Sequence, residues 1–169
     1  MSAFKEISVN EIKDNPFKLI GTDWGLVAAK DGEKCNMMTV SWGGVGIMWN
    51  KPVAFTFIRP QRYSFGLLEN EEYFTISFFD ENYRKALSFC GSKSGRDYDK
   101  AKETGLTPLY DEKAPYFKEA RLVLVCRKMY AQFLNEESVV DADTVLKNYD
   151  NDYHKMYISE IVKVLKNED

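Results

Sequence analysis

Histidine is nearly missing from this chain: His154 stands alone among 169 residues. With no C-x-x-C or H-x-x-x-H spacing around it, the usual zinc sites are excluded. The three cysteines, Cys35, Cys90 and Cys126, are odd in number and far apart. That rules out a disulfide framework and a paired-thiol redox motif, and buried free thiols are expected. No apolar run approaches the ~18 residues of a membrane span. The opening residues, Met1-Ser2-Ala3-Phe4-Lys5-Glu6, lack a basic stretch followed by an apolar one, so a cytoplasmic location is expected. Charge of one sign is lacking too. Lys and Arg number 23 against 26 Asp and Glu, which leaves no electrostatic footprint for wrapping nucleic acid or coating an anionic membrane. Any basic site must be local.

Hydrophobic residues make up 44% of the chain, enough to fold without covalent or metal staples, and the length fits a single domain over residues 1–169. Segments rich in Val, Ile, Thr and aromatics predict a mainly β chain with peripheral helices. Strands are expected over 24–30 and 36–42, flanking the hairpin signal Asp31-Gly32-Glu33-Lys34, and over 53–58, 73–79, 120–134 and 155–165. Short helices are expected after the Ser8/Glu11 capping pair, over 61–70 and 82–90, and near 98–104 before Gly105. Several short strands with helices outside suggest a small barrel, because closure removes exposed edges.

Two glycine-rich segments invite familiar readings that their spacing does not support. Gly43-Gly44-Val45-Gly46-Ile47-Met48-Trp49 places Trp49 where a dinucleotide fingerprint needs its third glycine, and Pro52 where the helix would run. A flexible loop between two strands is the expectation there. Gly91-Ser92-Lys93-Ser94-Gly95 has Lys93 where a nucleophile elbow needs serine and Ser92 where a P-loop needs glycine. What remains is a convergence of hydroxyls, backbone N–H groups and the cations Lys93 and Arg96 between two helices, which reads either as an anion nest or as a basic surface loop. Arg59 and Arg62, around Pro60, form a second cluster suited to forked phosphate contacts or to a salt-bridged corner. A third segment, Cys35 to Trp42, spends Asn36, Thr39 and Ser41 on a strand. With Trp42 and Trp49 nearby it could meet the polar edge of a planar ligand, or simply be aromatic β core.

Taken in succession, these segments resemble the flavin reductase-like family of FMN-binding split barrels, which includes the flavoredoxins. The matching stretches are Asn36 to Trp42, Gly46 to Pro52, Ile58 to Tyr63, Cys90 to Asp97 with Asp99-Lys100 behind, and His154 to Ile161 as a closing strand. The resemblance runs from about residue 17 to 165. It implies a six-stranded Greek-key split barrel and a homodimer holding FMN at the subunit boundary. Carried onto this chain, it implies that Asn36, Thr39, Ser41 and Trp42 line the ring and ribityl chain. It assigns phosphate contacts to Arg59, Arg62, Ser92, Lys93 and Ser94, with Tyr63, Gly95, Lys100 and His154 as further cofactor-binding residues.

The resemblance also implies an FMN-dependent oxidoreductase, with NAD(P)H as hydride donor and free flavin or another small molecule as acceptor. The alternative is a flavoredoxin-like carrier without its own NAD(P)H turnover. No catalytic acid, nucleophile or metal is required of the protein, since the flavin performs the redox chemistry and the chain need only orient it.

Overall fold

The computed structural model of the chain describes residues 4–168; Met1 to Ala3 of the opening segment and Asp169 lie outside the described residues. In chain order the elements are β1 (Phe4–Ile7), α1 (Pro16–Lys18), β2 (Gly25–Asp31), β3 (Lys34–Val40), β4 (Gly43–Met48), β5 (Lys51–Ile58), α2 (Tyr63–Asn70), β6 (Tyr73–Phe78), α3 (Arg84–Ser92), α4 (Lys100–Thr104), β7 (Pro108–Leu109), β8 (Tyr116–Phe117), β9 (Leu122–Phe133), α5 (Ala142–Val145) and β10 (Lys155–Asn167).

Strands β3-β2-β6-β9-β10-β5-β4 form one antiparallel sheet in that order, with β1 added along β10. The two ends of the path, β3 and β4, are consecutive in sequence and joined through Ser41-Trp42 without pairing to each other. This is the split barrel, with eight strands in its main sheet where six are expected. Short β1 and the edge strand β4 are the two that the sequence patterns do not announce.

Packing on both faces explains why β2 and β9 read as near-continuous apolar runs. Val27, Ala29, Leu122, Leu124 and Cys126 face one core with Phe74 and Tyr157. The intervening Leu26, Ala28, Val123 and Val125 face a second core that α3 closes with Leu87 and Cys90. Cys90 and Cys126 are buried and Cys35 half-buried, all as free thiols.

The expected loop at Gly43-Gly44-Val45-Gly46 is instead strand β4, paired with β5 and closed by Trp49-Asn50, both at positive φ. Gly43 serves cross-strand approach rather than flexibility. A Cβ on Gly43, whose φ is 148°, would lie 2.5 Å from the Phe55 carbonyl oxygen, and Gly44 and Gly46 leave the face over the Phe55 ring open.

α2, α3 and α4 fall within two residues of expectation, whereas α5 is not expected from the sequence and the N-terminal helix is reduced. There the Ser8/Glu11 capping box is formed but caps only a 3-10 turn, Val9–Glu11. Gly105, at φ 71°, ends α4 in the left-handed conformation. Among the described residues, no helix is long and apolar enough to cross a membrane.

Candidate functional site

Two cavities adjoin at the mouth of the barrel. The first, of about 270 Å³, lies where β3 leaves the sheet and turns at Trp42; Thr39, Ser41, Trp42, Phe57, Arg59, Arg62 and His154 line it. Three aromatic rings, Trp42, Phe57 and His154, form one part of its wall and the Arg59 and Arg62 guanidiniums another. The Trp42 and His154 rings stand 5.2 Å apart, and Phe57 meets His154 edge-on at 6.4 Å. Thr39 spends its hydroxyl hydrogen on the Leu87 carbonyl at 2.5 Å, which leaves its oxygen as an acceptor.

The second cavity, of about 150 Å³, is formed by Arg62, Tyr63, Ser92, Lys93, Ser94, Gly95, Arg96 and Lys100 around the 92–96 loop. The Ser94 hydroxyl accepts from the Arg96 N–H at 3.1 Å, and the Asp97 and Tyr98 N–H groups close onto the Ser94 carbonyl. Arg96 lies over the Tyr63 ring at 5.3 Å, and Lys93 near the Tyr98 ring at 5.6 Å. Hydroxyls and cations thus converge as expected, and Arg62 belongs to both cavities.

Several assigned residues have protein partners that sequence alone does not reveal. Arg62 donates to the Gly91 carbonyl at 2.8 Å, and Lys100 donates to the carbonyls of Met37 at 2.9 Å and Cys90 at 2.8 Å. Both cations therefore satisfy the carbonyl end of α3, where positive charge is favoured. In doing so they fix the direction in which the 92–96 loop leaves. Burial lowers the Lys100 pKa to about 8.

Asn36 lines neither cavity. Its amide donates to Ser64 Oγ at 2.7 Å, and its carbonyl oxygen lies against Gly95, so tightly that a Cβ there would come within 2.3 Å. Tyr63 is anchored by its hydroxyl to Asp31 at 2.9 Å. Both are supports of the loop.

Arg59 lies with the aromatic cavity rather than with the 92–96 loop. Its guanidinium is ion-paired to Asp152 and donates to the Asn148 carbonyl at 2.8 Å. The Asp150 N–H, then the Gln61 amide, then Arg59 hold the Asp152 carboxyl down at about 2. Phe57, Gln61, Asp152 and Tyr149 complete this neighbourhood without having been singled out in the sequence. Phe57 carried a signal, being one residue from Ile58-Arg59; Tyr149 and Asp152 carried none.

His154 is buried, with Nδ1 2.9 Å from the Tyr149 hydroxyl. Burial and then the Arg59 charge lower its pKa from 6.5 to about 4, with Asp152 opposing. The imidazole is neutral at physiological pH. Because the folded chain takes up this proton less readily than the unfolded chain, folding stability should fall as pH drops from about 6.5 to about 4 and be unaffected by this group above that window. A loss of up to about 3 kcal/mol by pH 4 is expected in urea titrations, with a shallower slope for His154→Gln. Equal slopes for the two proteins would show that the imidazole does not carry the effect.

The model of the flavin reductase like domain matches residues 17–169. The chain belongs to the flavin reductase-like family.

Solved structures agree on the fold. The flavoredoxin from Methanosarcina acetivorans is 21% identical at a TM-score of 0.68, with 97% of this chain and 76% of that one covered. The flavoredoxin of Desulfovibrio vulgaris (Miyazaki F) is likewise 21% identical at 0.68, covering 97% and 78%. The styrene monooxygenase flavin reductase from Pseudomonas putida S12 is 15% identical at 0.64, covering 87% and 80%. No curated protein sequence matches. At these identities the structures speak for the split barrel, and the family match speaks for flavin-related oxidoreductase chemistry.

Proposed function

We propose that this chain binds FMN across the two adjoining cavities and serves as an oxidoreductase that accepts hydride from NAD(P)H and passes electrons to free flavin or another small acceptor, in the cytoplasm. The observation that carries the reading is the shared Arg62. A cavity walled in part by aromatic rings and a nest of hydroxyls and cations meet at one guanidinium, which suits a ligand with a flat polar ring at one end and a phosphate monoester at the other. Gly95 fits the same picture, because its missing Cβ keeps the loop against Asn36 and the nest open.

When bound, the flavin supplies the hydride and single-electron chemistry. The chain's own residues bind and orient it. Trp42 and Phe57 give apolar walls that exclude water from a ring face, while Thr39 and Ser41 offer oxygens to the ring edge. Lys93, Arg96 and the hydroxyls of Ser92 and Ser94 answer a nearly dianionic phosphate that an acidic protein could not otherwise hold. His154 stays neutral, its proton shared with Tyr149, so it brings polarity to the ring cavity without adding charge.

Among the described residues the outer edge of strand β4 is unpaired; Val45, Ile47 and Met48 of the strand and Trp49 after it are exposed, with Ile47 72% exposed and Tyr130 beside Trp49 at 6.2 Å. An unpaired edge strand with exposed apolar side chains is a ready site for pairing with another chain. We infer that a second copy of the chain pairs there, next to the Trp42 corner. The wild-type chain should then sediment as a dimer, and Ile47→Asp as a monomer with at least tenfold weaker FMN binding. A wild-type monomer at micromolar concentration would contradict the assembly.

The activity is tested by anaerobic mixing of the FMN-loaded protein with NADH or NADPH. Bleaching of the flavin absorbance followed by steady-state turnover with free FMN is expected. Bleaching by dithionite alone would instead assign the chain to the carrier class.

A further inference from the structure

A third cavity, of about 470 Å³, lies between the end of β9, the segment 134–153 and the start of β10. It is larger than either part of the proposed flavin site. Phe133, Leu134, Val139, Val145, Tyr153 and Met156 supply an apolar lining, and Tyr149 and Tyr153 are stacked with centroids 4.7 Å apart. Tyr149 is the dividing wall: its ring borders this cavity while its hydroxyl reaches His154 of the flavin cavity. The volume is that of a small-molecule pocket, and nothing in the flavin reading uses it.

Charge decides what class of molecule belongs there. Residues 134–153 carry Glu136, Glu137, Asp141, Asp143, Asp150 and Asp152 against Lys147 alone, and the two cations that touch lining rings, Arg59 over Tyr149 at 5.1 Å and Lys155 over Phe133 at 5.2 Å, are ion-paired to Asp152 and Glu69. Asp152 is matched by Arg59, whereas Asp141 stands on the cavity lining itself. The Thr144 hydroxyl and N–H hold the Asp141 carboxyl below its ordinary range, so it is ionised at neutral pH. Phosphate-bearing ligands such as FMN and nicotinamide dinucleotides are repelled by such a wall. An aromatic cation gains on both counts, from ring burial and from the Asp141 carboxylate on the lining.

We propose that this cavity is a separate binding site for a small cationic aromatic molecule. The site is independent of the flavin reading, since its walls other than Tyr149 take no part in holding FMN.

The test is a fluorescence titration of the full chain with 4-(4-dimethylaminostyryl)-N-methylpyridinium as the cation and 1-anilinonaphthalene-8-sulfonate as the anion. The cation should bind at one per chain, at least tenfold tighter than the anion, and equally well with saturating FMN present. Val139→Arg should weaken the cation at least tenfold while FMN binding is unchanged. Asp141→Asn, which keeps the cap on Thr144, should narrow the cation preference. Stoichiometric displacement of the cation by FMN would place the probe in the flavin cavity and overturn the proposal. A tighter anion, or unaltered cation binding in Val139→Arg, would overturn it as well. Cation affinity that falls as protein concentration rises would give the cavity to a second copy of the chain and likewise overturn it.

Discussion

Replacing Gly95 with alanine is expected to weaken FMN binding about a hundredfold while changing riboflavin binding far less. A Cβ at this position would lie 2.3 Å from Asn36 Oδ1, 2.7 Å from Asn36 Cγ and 2.7 Å from the Tyr63 ring. Neither neighbour can step aside cheaply. Asn36 is buried and bonded to Ser64, and Tyr63 is tied to Asp31. The loop must therefore move outward by about 1 Å to restore an ordinary contact. Overpacking of this kind costs about 1–3 kcal/mol, and where FMN binding requires the displaced loop to return, the upper end of that cost is about a hundredfold in affinity. The ring cavity borders Arg62 but not Gly95, which is why riboflavin should be spared. Isothermal titration with both ligands measures the contrast; an alanine variant that binds FMN as the wild type does would mean the 92–96 loop does not hold the phosphate.

The second large effect belongs to Lys100. The residue is only 3% exposed, and its ammonium bonds two backbone carbonyls, one on β3 and one at the end of α3. Lys100→Met keeps the stem's volume and leaves both carbonyls without this donor. At about 1–3 kcal/mol for each buried group left unsatisfied, a loss of about 3 kcal/mol is expected at pH 7.

The pH dependence has a definite sign. The folded-state pKa, about 8, lies below the ordinary 10.5, so between those values the unfolded chain binds more protons and the wild type gains stability as pH rises. The neutral amine still donates two hydrogens, so the carbonyl bonds survive. The wild type's advantage over the methionine variant should therefore be larger at pH 10 than at pH 7 in paired denaturation curves. A variant within about 0.5 kcal/mol of the wild type at both pH values would show that the clamp is unimportant.

How far the fold is legible in the sequence depends on whether a feature is local. Leu122 to Cys126 and Leu26 to Ala29 announce strands because every residue is apolar, and burial on both faces is the reason. The end of α4 is legible because the left-handed Gly105 is a single-residue signal, while the Asp99 cap emerges only in the fold. Gly43 to Gly46 misleads, since glycines that make room for Phe55 across the hairpin look in one dimension like glycines that loosen a loop.

The site divides along the same line. The hydroxyls and cations of 92–96 are contiguous and legible. The partners of Arg59 are not, because Asp152 lies 93 residues away and belongs to a polar segment without periodicity. Arg62 reads in sequence as a phosphate contact and Lys100 as a further cofactor-binding residue, and in the fold both also cap α3 through backbone carbonyls, which no side-chain pattern can display. Asn36 reads as a ligand contact, and in the fold its amide bonds Ser64 while its carbonyl oxygen packs against Gly95.

The most direct test is a titration of the apoprotein with FMN and, separately, with riboflavin, followed by tryptophan emission. Trp42 borders the ring cavity and is half exposed. FMN should quench emission saturably at one per chain, with affinity at least tenfold above that of riboflavin, and Trp42→Phe should remove most of the signal. Emission that does not change with FMN, or equal affinities for the two ligands, would contradict a flavin ring beside Trp42 with its phosphate among residues 92–96.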